Sequence, residues 1–189
     1  GSQDFNIYAV EGTSNQAKSG FPIQTGYRIY GEPALGDLDG DGVADIVVGS
    51  GDKKIYAVSG KGKPLAGWPV QLPGQVKSSP VIGDIDLDGR LEVAVVADDG
   101  NLYVFGQTGA PVKGAPFQAQ AADGATPAMA DLDGQPGLEI VVVSGAGALH
   151  AFRFKATGKM AGARVAWSML GGTADRQGRK QDHPAEFAN

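Results

Sequence analysis

Three short loops of the sequence carry oxygen-bearing side chains at one common spacing. Carboxylates stand at positions 1, 3, 5 and 9 of each loop, except that glutamine takes position 5 of the third. Side chains at alternate positions of a short loop can converge on one point, and the backbone carbonyl of position 7 can join them. The candidate metal ligands are Asp37, Asp39, Asp41, Val43 and Asp45 in the first loop, Asp84, Asp86, Asp88, Arg90 and Glu92 in the second, and Asp131, Asp133, Gln135, Gly137 and Glu139 in the third.

Calcium is the ion that this chemistry predicts. Ca²⁺ takes six to eight oxygen ligands at about 2.3–2.6 Å and tolerates irregular geometry, whereas Mg²⁺ demands a regular octahedron. The chain has no cysteine and the loops have no histidine, which makes zinc a poor candidate. Gly42 and Gly89, at position 6, permit the sharp turn that such a loop needs. The alternative is that the loops are solvated Asp-Gly turns, which are common between strands.

The third loop departs from the pattern at two positions. Gln135 replaces a carboxylate and Pro136 replaces the position-6 glycine. Because this loop has one negative charge less, we expect it to bind Ca²⁺ more weakly than the other two. The sequence thus predicts two strong calcium sites and a third, weaker site.

The acidity of the chain is concentrated in these loops. They hold 11 of the 21 acidic residues, which leaves 10 acidic residues elsewhere, whereas the whole chain has 16 basic residues. The sequence shows no basic stripe of the kind that binds nucleic acid. It also has no run approaching the roughly 18–20 apolar residues of a membrane-spanning helix. We therefore expect neither nucleic-acid binding nor membrane insertion.

The loops belong to a repeat of 47 residues. This distance separates Asp37 from Asp84 and Asp84 from Asp131, and the segments IYAV, LYVF and LHAF follow at the same period. Each unit reads as four short strands, and repeats of about 40–50 residues with four strands are typical of propeller blades. We predict an all-β propeller, or a fragment of one, as a single domain over residues 1–174, with a polar tail at 175–189. Its units are a partial one at 5–32 and full blades at 33–79, 80–126 and 127–173.

The repeat resembles a known family. The loop DxDxDGxxD, the following D/E-I/V-V-V strand and the 47-residue period are similar to the FG-GAP or VCBS repeats of integrin-α-like β-propellers. The resemblance extends from about Asn6 to Leu170. It implies a propeller with calcium in the loops of successive blades, and a role in adhesion or recognition for a secreted or cell-surface protein.

Two classes of function follow. The favoured one is a non-enzymatic, calcium-binding module that binds a protein or glycan ligand through its blade loops. The alternative is a fragment of a calcium-containing propeller enzyme, such as a polysaccharide lyase. His150 aligns with Tyr8, Tyr56 and Tyr103 of the other units, which favours a place in a blade over a catalytic role. Trp68 is likewise predicted to be a packing residue.

The number of units raises a question of closure. Known propellers have about four to eight blades, whereas this chain has three full units and a partial one. The sequence is therefore that of a segment of a larger propeller, or it closes by another route. Residues 5–32 could join strands from the C-terminal end in one blade, or two copies could pair as a homodimer.

Overall fold

The computed structural model describes residues 1–158 and the backbone of residues 165–167, all in strands, turns and loops. Among these residues, none forms a helix long and apolar enough to span a membrane. The predicted domain end at residue 174 and the tail at 175–189 lie outside the described residues. The strands are β1 (Asn6–Ile7), β2 (Ile23–Gln24), β3 (Ala34–Gly36), β4 (Asp45–Gly49), β5 (Lys54–Val58), β6 (Val70–Gln71), β7 (Val81–Gly83), β8 (Glu92–Val96), β9 (Asn101–Phe105), β10 (Phe117–Gln118), β11 (Ala128–Ala130), β12 (Glu139–Val143), β13 (Leu149–Arg153) and β14 (Val165–Trp167).

The strands form one small antiparallel sheet per repeat. Strands β3 to β6 pair in sequence order as a four-stranded sheet, and β7 to β10 repeat that arrangement. Strands β11 to β13 form the third sheet, and β1 pairs with β2. The predicted all-β fold with four-stranded blades is therefore confirmed. We call the three sheets the first, second and third blades, and residues 5–32 the N-terminal unit.

Strand pairing keeps the same register from one repeat to the next. Ala34 lies opposite Val47 in the first blade, and Val81 lies opposite Ala94 at the equivalent place in the second. The N-terminal unit corresponds to the outer half of a blade, because β1 and β2 pair in the same register as β5 and β6. The sheets do not close into a ring within the described residues, as expected for a fragment of a propeller.

Residues one repeat apart contact each other where the chain enters each blade. The backbone N–H of Glu32 donates to Ser79 Oγ at 2.8 Å, and the backbone N–H of Ser79 donates to Thr126 Oγ1 at 3.2 Å. Equivalent positions of neighbouring blades come this close only near the axis about which the blades are arranged. The first strand of each blade is thus the innermost.

The core consists of three apolar layers, each between two neighbouring units. One layer joins the N-terminal unit to the first blade, the next joins the first to the second, and the last joins the second to the third. The middle strands β4 and β8 are apolar on both faces because a blade packs on each side of them. Trp68 belongs to the second layer, where its indole N–H donates to the carbonyl oxygen of Gln107 at 2.9 Å, so its predicted packing role is confirmed.

The C-terminal strand β14 has a different position from the one expected. It pairs with β7, the innermost strand of the second blade, whereas β1 and β2 pair only with each other in the described part of the chain. Closure by residues 5–32 together with C-terminal strands is therefore wrong for the described strands. The physical reason is that the inner edge of β7 offers unpaired backbone groups, which a further strand can satisfy.

Candidate metal centres in the acidic loops

Each acidic loop connects the first two strands of its blade. The loops span residues 37–44, 84–91 and 131–138, and position 9 is the first residue of the following strand. The position-9 carboxylates of Asp45, Glu92 and Glu139 are buried and point back into the loop. They accept hydrogen bonds from the backbone N–H groups of Leu38 (2.8 Å), Ile85 (3.0 Å) and Leu132 (2.9 Å). Burial of the strand thus fixes one carboxylate beside the start of each loop.

The position-1 aspartate closes the turn. Asp37 accepts hydrogen bonds from the N–H groups of Gly40 (2.9 Å) and Gly42 (3.0 Å), and Asp84 accepts one from Gly89 at 3.0 Å. Gly42 and Gly89 have φ values of 84° and 92°, a conformation that side-chain-bearing residues rarely adopt. The position-6 glycines therefore make the turn that their spacing predicts.

The turns bring three carboxylates together in each loop, with one oxygen of each within 4.8 Å of the others. The sets are Asp37, Asp39 and Asp41 in the first loop, Asp84, Asp86 and Glu92 in the second, and Asp131, Asp133 and Glu139 in the third. Of the other predicted acidic ligands, Asp45 and Asp88 lie outside these sets. The ligand roles of Gln135 and of the backbone carbonyls of Val43, Arg90 and Gly137 stay predictions.

The second loop places a carboxylate in an environment that favours a cation. Asp84 is fully buried, and its Oδ1 has no hydrogen-bond partner in the described structure. Burial, with the neighbouring carboxylates adding to it, raises the pKa of Asp84 and raises the pKa of Glu92 to about 8. Burial likewise raises the pKa of Asp45 in the first loop to about 6. Because an ionised carboxylate is costly to bury without a partner, an all-oxygen set of this kind fits a hard divalent cation.

A contact from the third blade also holds the second loop. The hydroxyl of Thr157 donates to Asp86 Oδ2 at 2.7 Å, and the N–H groups of Thr157 and Gly158 donate to the carbonyl oxygen of Asp86 at 2.7 and 3.2 Å. Sequence reasoning missed this contact because Thr157 lies 71 residues from Asp86.

The third loop contains a cationic side chain that sequence reasoning also missed. Arg153 Nη1 lies 3.1 Å from Asp133 Oδ2, and Arg153 Nε lies 3.7 Å from Glu139 Oε1. The 47-residue period places Ser59 and Gly106 at the equivalent positions of the first and second blades. An alignment of the repeats beyond the loop would have revealed this difference. By contrast, Lys61 lies 3.9 Å from Asp41 with both side chains largely exposed, so that pair contributes little.

Residues 37–95 match the family model described as the FG-GAP-like repeat. This part of the chain, less than half of its length, is thus similar to FG-GAP-like repeats. The matched range contains the first two acidic loops and the blade strands around them, and the third loop lies outside it. No curated protein sequence matches the chain.

Two solved structures are similar in fold to this chain. BamB from Moraxella catarrhalis is 18% identical with a TM-score of 0.58, and the alignment covers 94% of this chain and 48% of that one. BBS1N, crystallised in complex with ARL6DN, is 15% identical with a TM-score of 0.56, over 81% of this chain and 45% of that one. The chain thus spans less than half of either structure. Both have propeller folds, and at these identities the likeness shows the fold alone.

Proposed function

We propose that the chain is a calcium-stabilised, non-enzymatic recognition or adhesion module of a secreted or cell-surface protein. The observation that carries the calcium part is the second loop, where three carboxylates converge and a fully buried oxygen of Asp84 has no hydrogen-bond partner among the described residues. Ca²⁺ supplies the positive charge that such a set needs and accepts its irregular geometry. In the first loop three carboxylates also converge, but from positions 1, 3 and 5: Asp37, Asp39 and Asp41.

Calcium in these loops would act on stability. An ion held by Asp84, Asp86 and Glu92 would link the second loop to the start of β8 and so stabilise the connection between the first two strands of that blade. An ion that binds only the native state stabilises it by about 2.7 kcal/mol per site at a hundredfold excess over Kd. Extracellular calcium modules have Kd values of about 10⁻⁴–10⁻³ M, a range in keeping with loops as exposed as residues 39–42.

Calcium titration tests the proposal directly. Isothermal titration of the metal-free chain should show stoichiometric Ca²⁺ binding, and added Ca²⁺ should raise the melting temperature more than equimolar Mg²⁺ does. The matched control is Glu11→Gln, which removes an exposed carboxylate outside the loops and should change neither result. An unchanged melting temperature after exhaustive chelation would exclude the calcium role.

We propose a protein ligand at the loops of one end of the blades. Rigid blades carrying variable loops make good recognition surfaces, and BBS1N, which shares the fold, was crystallised with a protein partner. A glycan array on the full-length protein separates this proposal from a glycan ligand, and a lyase assay on the same sample tests the enzyme alternative. No observation in residues 1–158 favours the lyase.

The outer face of the third blade, which is the face directed away from the second blade, is the proposed contact for a further blade. Val143 and Leu149 are 45% and 73% exposed, whereas their equivalents in the second blade, Val96 and Leu102, are 2% and 0% exposed. In the second blade this face packs on the next sheet. A further sheet would bury the same positions here, and light scattering distinguishes it from a homodimer, whose mass would be twice 19.3 kDa.

A further inference from the structure

Arg153 reaches the third acidic loop from the neighbouring strand. It is the last residue of β13 and lies directly opposite Glu139, the first residue of β12. From there its guanidinium extends to Asp133 Oδ2 at 3.1 Å, while its Nε stays 3.7 Å from Glu139 Oε1. Asp133 and Glu139 are two of the three carboxylates that converge in this loop. A positive charge of the chain itself therefore lies among the carboxylates.

Arg153 supplies the positive charge beside the buried oxygen of Glu139 in the third loop. Glu139 is 5% exposed, and its Oε2 accepts a hydrogen bond from the backbone N–H of Leu132. Its Oε1 is buried without a hydrogen bond in the described structure, and the guanidinium of Arg153 is the cation beside it. In the second loop the orphaned oxygen belongs to Asp84, and no side chain among the described residues forms an ion pair with this carboxylate.

The charge of the third loop differs accordingly from that of the other two. The first and second loops each carry four carboxylates, and the equivalents of Arg153 beside them are the uncharged Ser59 and Gly106. The third loop has three carboxylates, because position 5 is Gln135, and one guanidinium. A divalent ion entering it would meet fewer carboxylates than in either other loop, and the guanidinium paired with Asp133 would repel it at short range.

We propose that Arg153 is the built-in cation of the third loop, which closes this loop without calcium, so that the chain binds two calcium ions and not three. The inference rests on the proposed calcium binding of the first two loops. It also sharpens the expectation from sequence: the third loop binds Ca²⁺ at least about tenfold more weakly than the others because its cation position is already taken, with the change at Gln135 as the smaller cause. Arg153 is a positioning residue for the loop.

Removing the arginine tests the proposal by a gain of binding. Arg153→Ser, which introduces the residue of the first blade, should raise the calcium stoichiometry measured by titration from two to three. It should also lower the melting temperature in chelator, and calcium should restore it. Arg153→Lys keeps the charge and should stay at two ions. Lys155→Ser, which removes an exposed cation two residues away, is the matched control and should also stay at two.

The reverse substitution provides a second test that does not depend on the folding of the third blade. Gly106→Arg places an arginine beside the second loop, and a Cβ at this position meets only the carbonyl oxygen of Ala110, at 3.9 Å. We expect the stoichiometry to fall from two to one, with a higher melting temperature in chelator than that of the unchanged protein.

The outcomes separate this inference from the proposal on which it rests. Three ions bound by the unchanged protein, two ions bound by Arg153→Ser, or no loss of an ion in Gly106→Arg would each overturn the role of Arg153. Failure of the first two loops to bind calcium would overturn the proposed function. In that case a double-mutant cycle of Arg153→Ser and Asp133→Asn in chelator still tests the ion pair, and an absence of coupling would overturn the cationic role of Arg153.

Discussion

The second and third blades have the same strand register and differ in the interactions that stabilise them. In the second blade, the outer apolar face is covered, the acidic loop has no cationic side chain at the position of Arg153, and Tyr103 donates a hydrogen bond to Asp99 at 2.6 Å. In the third blade, the outer face is exposed, Arg153 extends into the loop, and Ala146 and His150 stand at the positions of that aspartate and tyrosine.

The comparison shows that the repeat determines the position and register of the strands. The ion pairs and side-chain hydrogen bonds that connect the strands vary from blade to blade. Glu92 and Glu139 begin equivalent strands and accept equivalent backbone hydrogen bonds. Each also needs a positive charge nearby, and the two blades obtain it differently: from an ion, as we propose, or from a side chain. A blade can therefore keep its geometry while its dependence on calcium changes.

Removal of calcium should produce the largest difference in stability between the second and third blades. We expect chelation to lower the free energy of unfolding by about 2.7 kcal/mol for each of the two occupied loops, relative to a hundredfold excess of Ca²⁺ over Kd. Hydrogen exchange should then accelerate at the amides of Ile85 and Gly89, which bond to the carboxylates of the second loop. The amide of Leu132, bonded to Glu139 in the third loop, should keep its protection. Equal loss of protection in both loops would contradict the comparison.

Truncation of equivalent leucines should produce the next largest difference. Leu102 is fully buried and Leu149 is 73% exposed, although the two occupy equivalent positions of the repeat, near the start of β9 and of β13. We expect Leu102→Ala to lower the free energy of unfolding by about 2–5 kcal/mol and Leu149→Ala by less than about 0.5 kcal/mol. Urea denaturation in calcium measures both. A large effect at Leu149 would mean that a second copy covers this face, and light scattering would then show a dimer.

Neutralising the position-3 aspartates compares the two loops themselves. Asp86→Asn should lower the calcium stoichiometry by one. The free energy of unfolding should then fall by about 2.7 kcal/mol at a hundredfold excess of the ion over Kd. Asparagine can still accept the hydrogen bond of Thr157, so this contact does not confound the result. Asp133→Asn should leave the stoichiometry unchanged and cost less than about 1 kcal/mol, because its ion pair with Arg153 is partly exposed. Titration calorimetry that finds an ion lost at Asp133 would reverse the ranking.

Much of the fold could be predicted from the sequence because the same pattern of loop and strand residues occurs three times. The alternation of Asp and Gly, followed by an apolar run such as DIVVG, indicates a loop and a buried strand wherever it occurs. Gly42 and Gly89 indicated the turn in the same way, since φ values of 84° and 92° favour glycine.

The features that could not be predicted depend on contacts between distant segments. Arg153 joins the third loop only because β13 pairs with β12, and Thr157 reaches Asp86 only because the blades pack side by side. The pairing of β14 with β7 joins segments about two repeats apart and follows no period. The converging sets were equally inaccessible: the second loop selects Glu92 and leaves Asp88 aside, which depends on how the loop curls.

The smallest expected effect concerns a tyrosine–aspartate hydrogen bond that is present in the N-terminal unit and in the first two blades. Tyr8, Tyr56 and Tyr103 each donate their hydroxyl to the aspartate four residues earlier, at 2.6, 2.5 and 2.6 Å. The third blade lacks this pair, with Ala146 and His150 at those positions. Its turn is nevertheless the same, because Gly147 has a φ of 79° and its equivalent Gly100 has a φ of 80°.

The double variant Ala146→Asp/His150→Tyr should therefore introduce the missing hydrogen bond and stabilise the third blade. His150 lies opposite Val142 as Tyr103 lies opposite Val95, so the new hydroxyl would point as the native one does. We expect the free energy of unfolding to rise by about 0.5–1 kcal/mol, a typical net contribution of one hydrogen bond, with each single variant nearly neutral.

The stabilisation should depend on pH. In the second blade, burial, assisted by the bond to Asp99, raises the pKa of Tyr103 to about 12. Because this exceeds the value of about 10 in an unfolded chain, the fold favours the protonated tyrosine. The introduced pair should accordingly stabilise fully below pH 10 and progressively less as the pH rises toward 12. Urea denaturation at pH 7 and pH 11 measures both the gain and its decline. If the double variant is no more stable than the sum of its two neutral single variants, the tyrosine–aspartate pair does not stabilise its strand.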